Sequence, residues 1–271
     1  MKKHKIYLSG GFGNILFQLV AFLHLKKTGG NCKLVTVLTE SNLITKTLGW
    51  KIHENSCKSV LKELNAIIEI PSKITILKDL ILGRLSKFFC RRILGVFFYN
   101  NMDNNLKKND ILFGYFLSKT FLLENKEHIR KIGKILNRVF CNNLKKLETS
   151  IVVHIRLGDS VWSKKNSKYY EEILKILQNQ EEPFTVITDS IYDAKLLFKD
   201  FENIFFESNS PYEDFGLMLQ SKIIFMAPST FSYWVCLASE SIESIYMPKM
   251  IYSKLGFPLK KKNTHNLTLL K

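Results

Sequence analysis

The sequence predicts an α/β fold with parallel sheets, and three observations carry that reading. Between Ile151 and Met247, short apolar runs alternate with stretches of helical spacing. Strands separated by helices of that length form βα units and a parallel sheet. The chain opens the same way, with an apolar run, a glycine-rich turn, an amphipathic stretch and a second apolar run. Its 271 residues suffice for one large or two modest domains, each with its own core.

Ile6 to Leu8 reads as a short buried strand and Ser9 to Asn14 as a glycine-rich turn. Ile15 to Lys27 follows as a helix, with Leu16, Leu19, Val20 and Leu23 on one face, and Gly29 and Gly30 stop it. Leu34 to Leu38 is a second strand. Ile74 to Phe98 is apolar yet carries Lys78, Arg84, Lys87, Arg91 and Arg92. Two expectations stand for it: a pair of helices packed on the first domain, or a basic amphipathic segment on an anionic membrane. Asn100 to Asp110 is a polar loop, Ile111 to Phe116 a strand, and Asn125 to Leu147 one or two basic amphipathic helices bridging to the second half.

The domain boundary is placed near Glu148, giving a first domain 1–148 and a second 149–247. Strands are expected at Ile151 to Ile155, Phe184 to Thr188, Asn203 to Phe206, Lys222 to Met226 and Ser244 to Met247. Between them lie helices at Tyr169 to Leu177, Ile191 to Phe198, Tyr212 to Gln220 and Phe231 to Ala238. The basic tail 248–271 is poorly patterned and is expected to pack back on the first domain.

Hydrophobic residues make up 46% and charged residues 24%, an ordinary soluble composition. The 40 basic and 24 acidic residues leave a net charge of +16. That surplus fits either an anionic partner, such as lipid or a phosphorylated substrate, or a solvated lysine-rich surface. No aromatic-basic motif of a known nucleic-acid module is present, which sets nucleic acid aside. The five Cys are scattered and never form a C-x-x-C pair, so a reducing cytoplasm is expected rather than a disulfide framework or zinc site. The basic start, Met1 to His4, runs straight into glycines, so neither a signal peptide nor an anchor is expected, and no apolar run is long enough to span a bilayer.

Four constellations carry chemistry. The strand Ile151 to Ile155 delivers His154 and Arg156, then Gly158 and Asp159, to a loop mouth, and parallel sheets bind ligands beyond the carboxyl ends of their strands. The guanidinium fork of Arg156 suits two phosphate oxygens and supplies fixed charge where a nucleotide diphosphate departs. His154, two residues before it, shares its strand face. Ala227 to Ser232 puts Ser229 or Thr230 at a helix N-cap, whose amides favour phosphate. Asp214, at the start of a helix, suits either a guanine edge or the helix dipole. Gly10, Gly11, Gly13 and Asn14 form a turn without the spacing of a dinucleotide loop, where backbone at Gly11 and the Asn14 amide could approach a ligand. No Asp-x-Asp, Walker loop or G-x-S-x-G elbow is present, so no metal and no cofactor are expected.

In this order the motifs resemble the bacterial α-1,2-fucosyltransferases of glycosyltransferase family 11. The family pattern G-G-L-G-N-Q-M-F-Q is met by Gly10 to Gln18, G-Y-[FW]-Q-S by Gly114 to Ser118, and H-x-R-R-G-D by His154 to Asp159. Its last motif is met by Asp214 to Ser221 and by Pro228 to Trp234. The similarity runs from residue 8 to about 238. The chain departs from the pattern at Ile15, Leu157, Pro228 and Val235.

The resemblance implies a GT-B fold of two Rossmann-like domains with a cleft, GDP-β-L-fucose as donor, inversion at the anomeric carbon and no metal. It assigns donor contacts to His154, Arg156, Asp214, Ser229, Thr230 and Phe231, and places Asn14 near the transferred sugar. Asp159 is the first candidate for a general base. The acceptor implied is a hydroxyl, galactose O2, of a lipid-linked oligosaccharide for a bacterial surface polysaccharide. The location expected is the cytoplasm, peripheral on the inner face of the inner membrane. Two alternatives remain beside this one: a transferase using another GDP-sugar, and an inactive relative that binds glycan or a partner.

Overall fold

The computed structural model describes residues 3–35, 54–66, 68–69, 72–89, 96–98, 110–141, 146–158, 167–258 and 266–270. They fall into two compact units, 1–132 and 133–271.

In the first unit the strands are β1 (Lys3–Tyr7), β2 (Asn31–Val35), β3 (Ile68–Glu69), β4 (Val96–Phe98) and β5 (Ile111–Phe113). The helices are α1 (Phe12–Lys27), α2 (Glu54–Glu63), α3 (Lys73–Phe89), α4 (Lys119–Glu124) and α5 (Lys126–Cys141). The sheet is parallel, in the order β3-β2-β1-β5-β4. α1 starts at Phe12 rather than Ile15 and is buried on nearly every side, as a helix apolar all round must be. Ile15 thus serves the core. Among the described residues the run from Ile74 to Phe98 holds one helix and then a strand rather than a pair of helices, because Val96, Phe97 and Phe98 suit a pleated ladder and pair with β5.

The second unit holds β6 (Ile151–Ile155), α6 (Ser167–Leu177), β7 (Phe184–Thr188), α7 (Ile191–Leu197), β8 (Ile204–Glu207) and α8 (Pro211–Leu219). Then come β9 (Ile223–Phe225), α9 (Thr230–Ala238), β10 (Ser244–Pro248), α10 (Lys249–Leu255) and β11 (Asn266–Leu270). The order β11-β10-β9-β6-β7-β8 is again parallel. It is the doubly wound order, which reverses between β6 and β9. Val153, Ile155, Tyr169, Ile173, Val186 and Phe198 form the heart of its core.

Two boundaries differ from expectation. The division falls inside α5 rather than near Glu148, because the last turns of that helix pack with the second unit. Tyr212 Oη donates to Val139 O at 2.7 Å, and the Phe140 and Phe215 rings stand 4.9 Å apart. The tail adds α10 and the edge strand β11 to the second sheet, where Tyr233 Oη also donates to Gly256 O at 2.9 Å. Its pattern was hard to read because β11 has only one buried residue, Leu270. No helix among the described residues is long and apolar enough to cross a membrane.

Candidate active site

Both strand-order reversals are lined by the motifs. In the first unit the reversal lies between β1 and β5. The loop after β1 carries Ser9 to Gly11, and the loop after β5 carries Gly114 to Ser118. Gln18, fully buried on α1, ties the two together. Its Oε1 accepts from Ser9 N at 3.0 Å, and its Nε2 donates to Gly114 O at 2.8 Å. Gly10 has φ +84, and a Cβ there would stand 2.9 Å from Asn14 Nδ2 and 3.0 Å from the Tyr115 ring. The positive φ requires glycine, and the space above it is filled by the ends of those two side chains. Gly11 is the N-cap of α1. Asn14 and Tyr115 thus converge over Gly10.

In the second unit the reversal lies between β6 and β9. Every residue of β6 is buried, so the strand is a continuous apolar run, as central parallel strands are. The strand ends at Ile155, and the period-two argument ends with it: His154 is 8% exposed while Arg156 is exposed in the loop. His154 Nδ1 lies 2.7 Å from Ser232 Oγ, and Ser232 Oγ lies 2.8 Å from Ser229 Oγ. Ser229 is the N-cap of α9 and accepts from Ser232 N. The helix cap and the imidazole are thus one hydrogen-bonded cluster, with Thr230 as the first helical residue. Phe231 packs against His154 at 5.8 Å and Phe215 at 5.2 Å between ring centroids.

Burial pushes the His154 imidazole down to about 4; neighbouring Arg156 acts in the same direction and Asp189 opposes. The ring is neutral at working pH and carries one N–H, and the Ser232 hydroxyl decides which nitrogen bears it. Ser232→Ala would leave a buried ring nitrogen unpaired. The expected loss is about 1–3 kcal/mol of stability, read as a lower urea midpoint. An unchanged midpoint would show that this cluster does not hold the site.

Arg156 is braced by residues that the sequence reading did not select. Asp189, just beyond β7, accepts from Leu157 N at 2.7 Å and Gly158 N at 2.9 Å through Oδ1. Its Oδ2 lies 3.9 Å from Arg156 Nε. Tyr170 on α6 is within hydrogen-bond distance of the Arg156 backbone, and its neighbour Tyr169 donates to Met226 O at 2.6 Å. One helix therefore supports both loops of the reversal. Leu157, where the family pattern has a second Arg, packs against the core cluster. The signal for Asp189 was available, since it is a polar residue at a strand end beside Arg156 in the sheet.

Asp214 lies in the first turn of α8, which opens with a capping box between Ser210 and Glu213. Asp214 Oδ1 accepts from Asn209 N and Asn209 Nδ2, both at 3.1 Å. Burial pushes its carboxyl up to about 6, against the lowering effect of those two bonds. Asp159 lies outside the described residues. Gly11 and Asn14 belong to the first unit, the remaining described candidates to the second. Among the described residues no three His, Cys, Asp or Glu side chains gather as a metal site would require.

Two parallel α/β units with polar motifs at their strand-order reversals are the building plan of the GT-B glycosyltransferases. The chain belongs to glycosyl transferase family 11, whose sequence profile matches residues 1–263. It is 24% identical over 251 residues to an alpha-1,2-colitosyltransferase of Escherichia coli, covering 84% of each chain. Among solved structures it is similar to POFUT1 in complex with GDP, at 12% identity and a TM-score of 0.47, covering 99% of this chain and 98% of that one. It is also similar to the Escherichia coli heptosyltransferase WaaC with ADP, at 11% identity and a TM-score of 0.49, covering 99% and 93%. The Bradyrhizobium α-1,6-fucosyltransferase NodZ, soaked with GDP-fucose, matches at 15% identity and a TM-score of 0.36, covering 90% and 94%.

Proposed function

We propose that this glycosyltransferase is an inverting fucosyltransferase that takes L-fucose from GDP-β-L-fucose without a metal. The observation that carries the reading is the β6–β9 reversal, where Arg156, the His154–Ser232–Ser229 cluster and the N-terminus of α9 gather. The diphosphate lies on Arg156 and the α9 amides, and Asp214 reads the guanine edge. The acceptor is a hydroxyl, galactose O2, of a lipid-linked oligosaccharide for a surface polysaccharide. In a single displacement the acceptor oxygen bonds to the anomeric carbon as the bond to the β-phosphate oxygen breaks. GDP leaves with the electron pair, and the hydroxyl proton passes to a base or to solvent. Arg156 offsets the charge on the departing diphosphate.

A second reading is favoured by the colitosyltransferase relative: the donor is another GDP-sugar. Colitose is fucose without its 3-hydroxyl, so the same diphosphate and guanine contacts serve both. Calorimetric titration in EDTA with GDP, GDP-fucose, GDP-colitose, GDP-mannose and UDP separates the readings. Tight binding of GDP and GDP-fucose, with UDP ignored, is expected. Preference for GDP-colitose would move the donor to the second reading. Absence of guanine-nucleotide binding would overturn both and leave a non-catalytic binding protein.

A further inference from the structure

α3 presents an apolar stripe on the side away from the sheet. Its inner face is fixed by Asp79 and Gly83. Asp79 is 4% exposed and accepts from Tyr7 Oη at 2.7 Å. A Cβ on Gly83 would stand 3.1 Å from the Phe113 ring, and that ring stacks on Tyr7 at 4.4 Å. The polar and the smallest residue of the helix therefore meet β1 and β5. The opposite face carries Ile74, Leu77, Ile81 and Leu85, which are 82%, 45%, 50% and 41% exposed. Their spacings of three, four and four make one stripe along the helix. Single exposed apolar side chains need no explanation, but an ordered stripe does.

The charge around the stripe has one sign. Lys78 is exposed, and its helical register is on one flank of the stripe. The register positions of Lys73 and Arg84 fall on the other flank. Asp79, the only acid in α3, is on the inner face. We propose that α3 is a peripheral membrane-docking helix, which lays this stripe on the surface of an anionic bilayer with its basic flanks among the phosphates. With 17 residues it is about 25 Å long, and it lies in the interface rather than crossing it. The net charge of +16 favours this occupant over a second copy, which would bring like charge to the same face. The inference stands apart from the choice of donor.

The test is flotation of the full chain with phosphatidylcholine vesicles, with and without phosphatidylglycerol. Retention is expected only on the anionic vesicles, at low salt, with release as salt rises. The double substitution Leu77→Ser and Ile81→Ser should lower the partition about tenfold or more, and Lys78→Glu about tenfold. Both variants should keep the parent's urea midpoint, since neither touches the inner face. Three results would overturn the inference. One is a parent chain that stays with the soluble fraction on anionic vesicles at low salt. Another is retention that the stripe substitutions do not change. The third is a dimer by light scattering that Ile81→Ser dissolves, which assigns the stripe to a second copy.

Discussion

Arg156→Ala is expected to lower turnover by about 100- to 1000-fold, the usual cost of removing one preorganised group from developing charge. The effect should appear mainly in kcat, because the charge on the departing diphosphate is largest in the transition state. Arg156→Lys should recover only a small part, since a lysine keeps the charge but loses the planar fork. Asp189 supplies the control. Asp189→Asn keeps an acceptor for the Leu157 and Gly158 amides while removing the charge near Arg156 Nε. Asp189→Ala removes the amide acceptor as well. A larger loss in Asp189→Ala than in Asp189→Asn is therefore expected. Near-parent rates in Arg156→Ala, measured with GDP-fucose and an accepted sugar, would remove Arg156 from the reaction.

Asp214→Asn should weaken GDP binding about tenfold to a hundredfold while making the fold more stable. The opposite signs follow from the environment of the carboxyl. Its folded value of about 6 lies above the ordinary 3.8 because burial disfavours the charge. Below about pH 4 the group is protonated in both the folded and the unfolded chain and contributes nothing. As pH rises toward 6 the unfolded chain gives up its proton first, and the folded state loses stability. Above 6 the full cost remains. Asparagine escapes it and gains about 1–2 kcal/mol after allowance for residual solvent.

His154 has the reverse slope. Its folded value of about 4 lies below the ordinary 6.5, so stability falls as pH drops from 6.5 toward 4. In the parent the two slopes oppose each other between about 4 and 6. In Asp214→Asn that opposition is gone, His128, also lowered by burial, acts in the same direction as His154, and the melting temperature should drop more steeply through that window than in the parent. For the ligand, if the proposed guanine contact is made, GDP affinity of the parent should fall as pH drops below about 6, where the Asp214 carboxylate gains its proton. Melting scans and GDP titrations across this range check both statements. A flat affinity would deny Asp214 the guanine role.

The middle of the second sheet was legible because its strands there are buried and parallel. Ile151 to Ile155 and Phe184 to Thr188 are buried on both faces, so each is a bounded apolar run in the sequence. The pieces that escaped are those with little to bury. β3 has two residues, and β11 has four exposed residues out of five. The strand-end position of His154 and the helix-start positions of Ser229 and Thr230 were legible because strand ends and helix caps have local signatures. The Ser210–Glu213 capping box carries the same kind of signature, in its Ser-x-x-Glu spacing, and was passed over. Gln18 gives no local signal. It lies within an apolar helix, and its partners Ser9 and Gly114 come together only when β1 pairs with β5.

The all-round burial of α1 has a consequence for biosynthesis. Its residues are complete at Lys27, yet its neighbour β1 pairs with β5, whose residues end at Phe113. A ribosome adding residues one by one needs on the order of ten seconds to travel that distance. Throughout that interval Phe12, Phe17 and Phe22 belong to a nascent chain that has no finished sheet to receive them. The α1 segment therefore keeps its apolar side chains without their final partners for that interval.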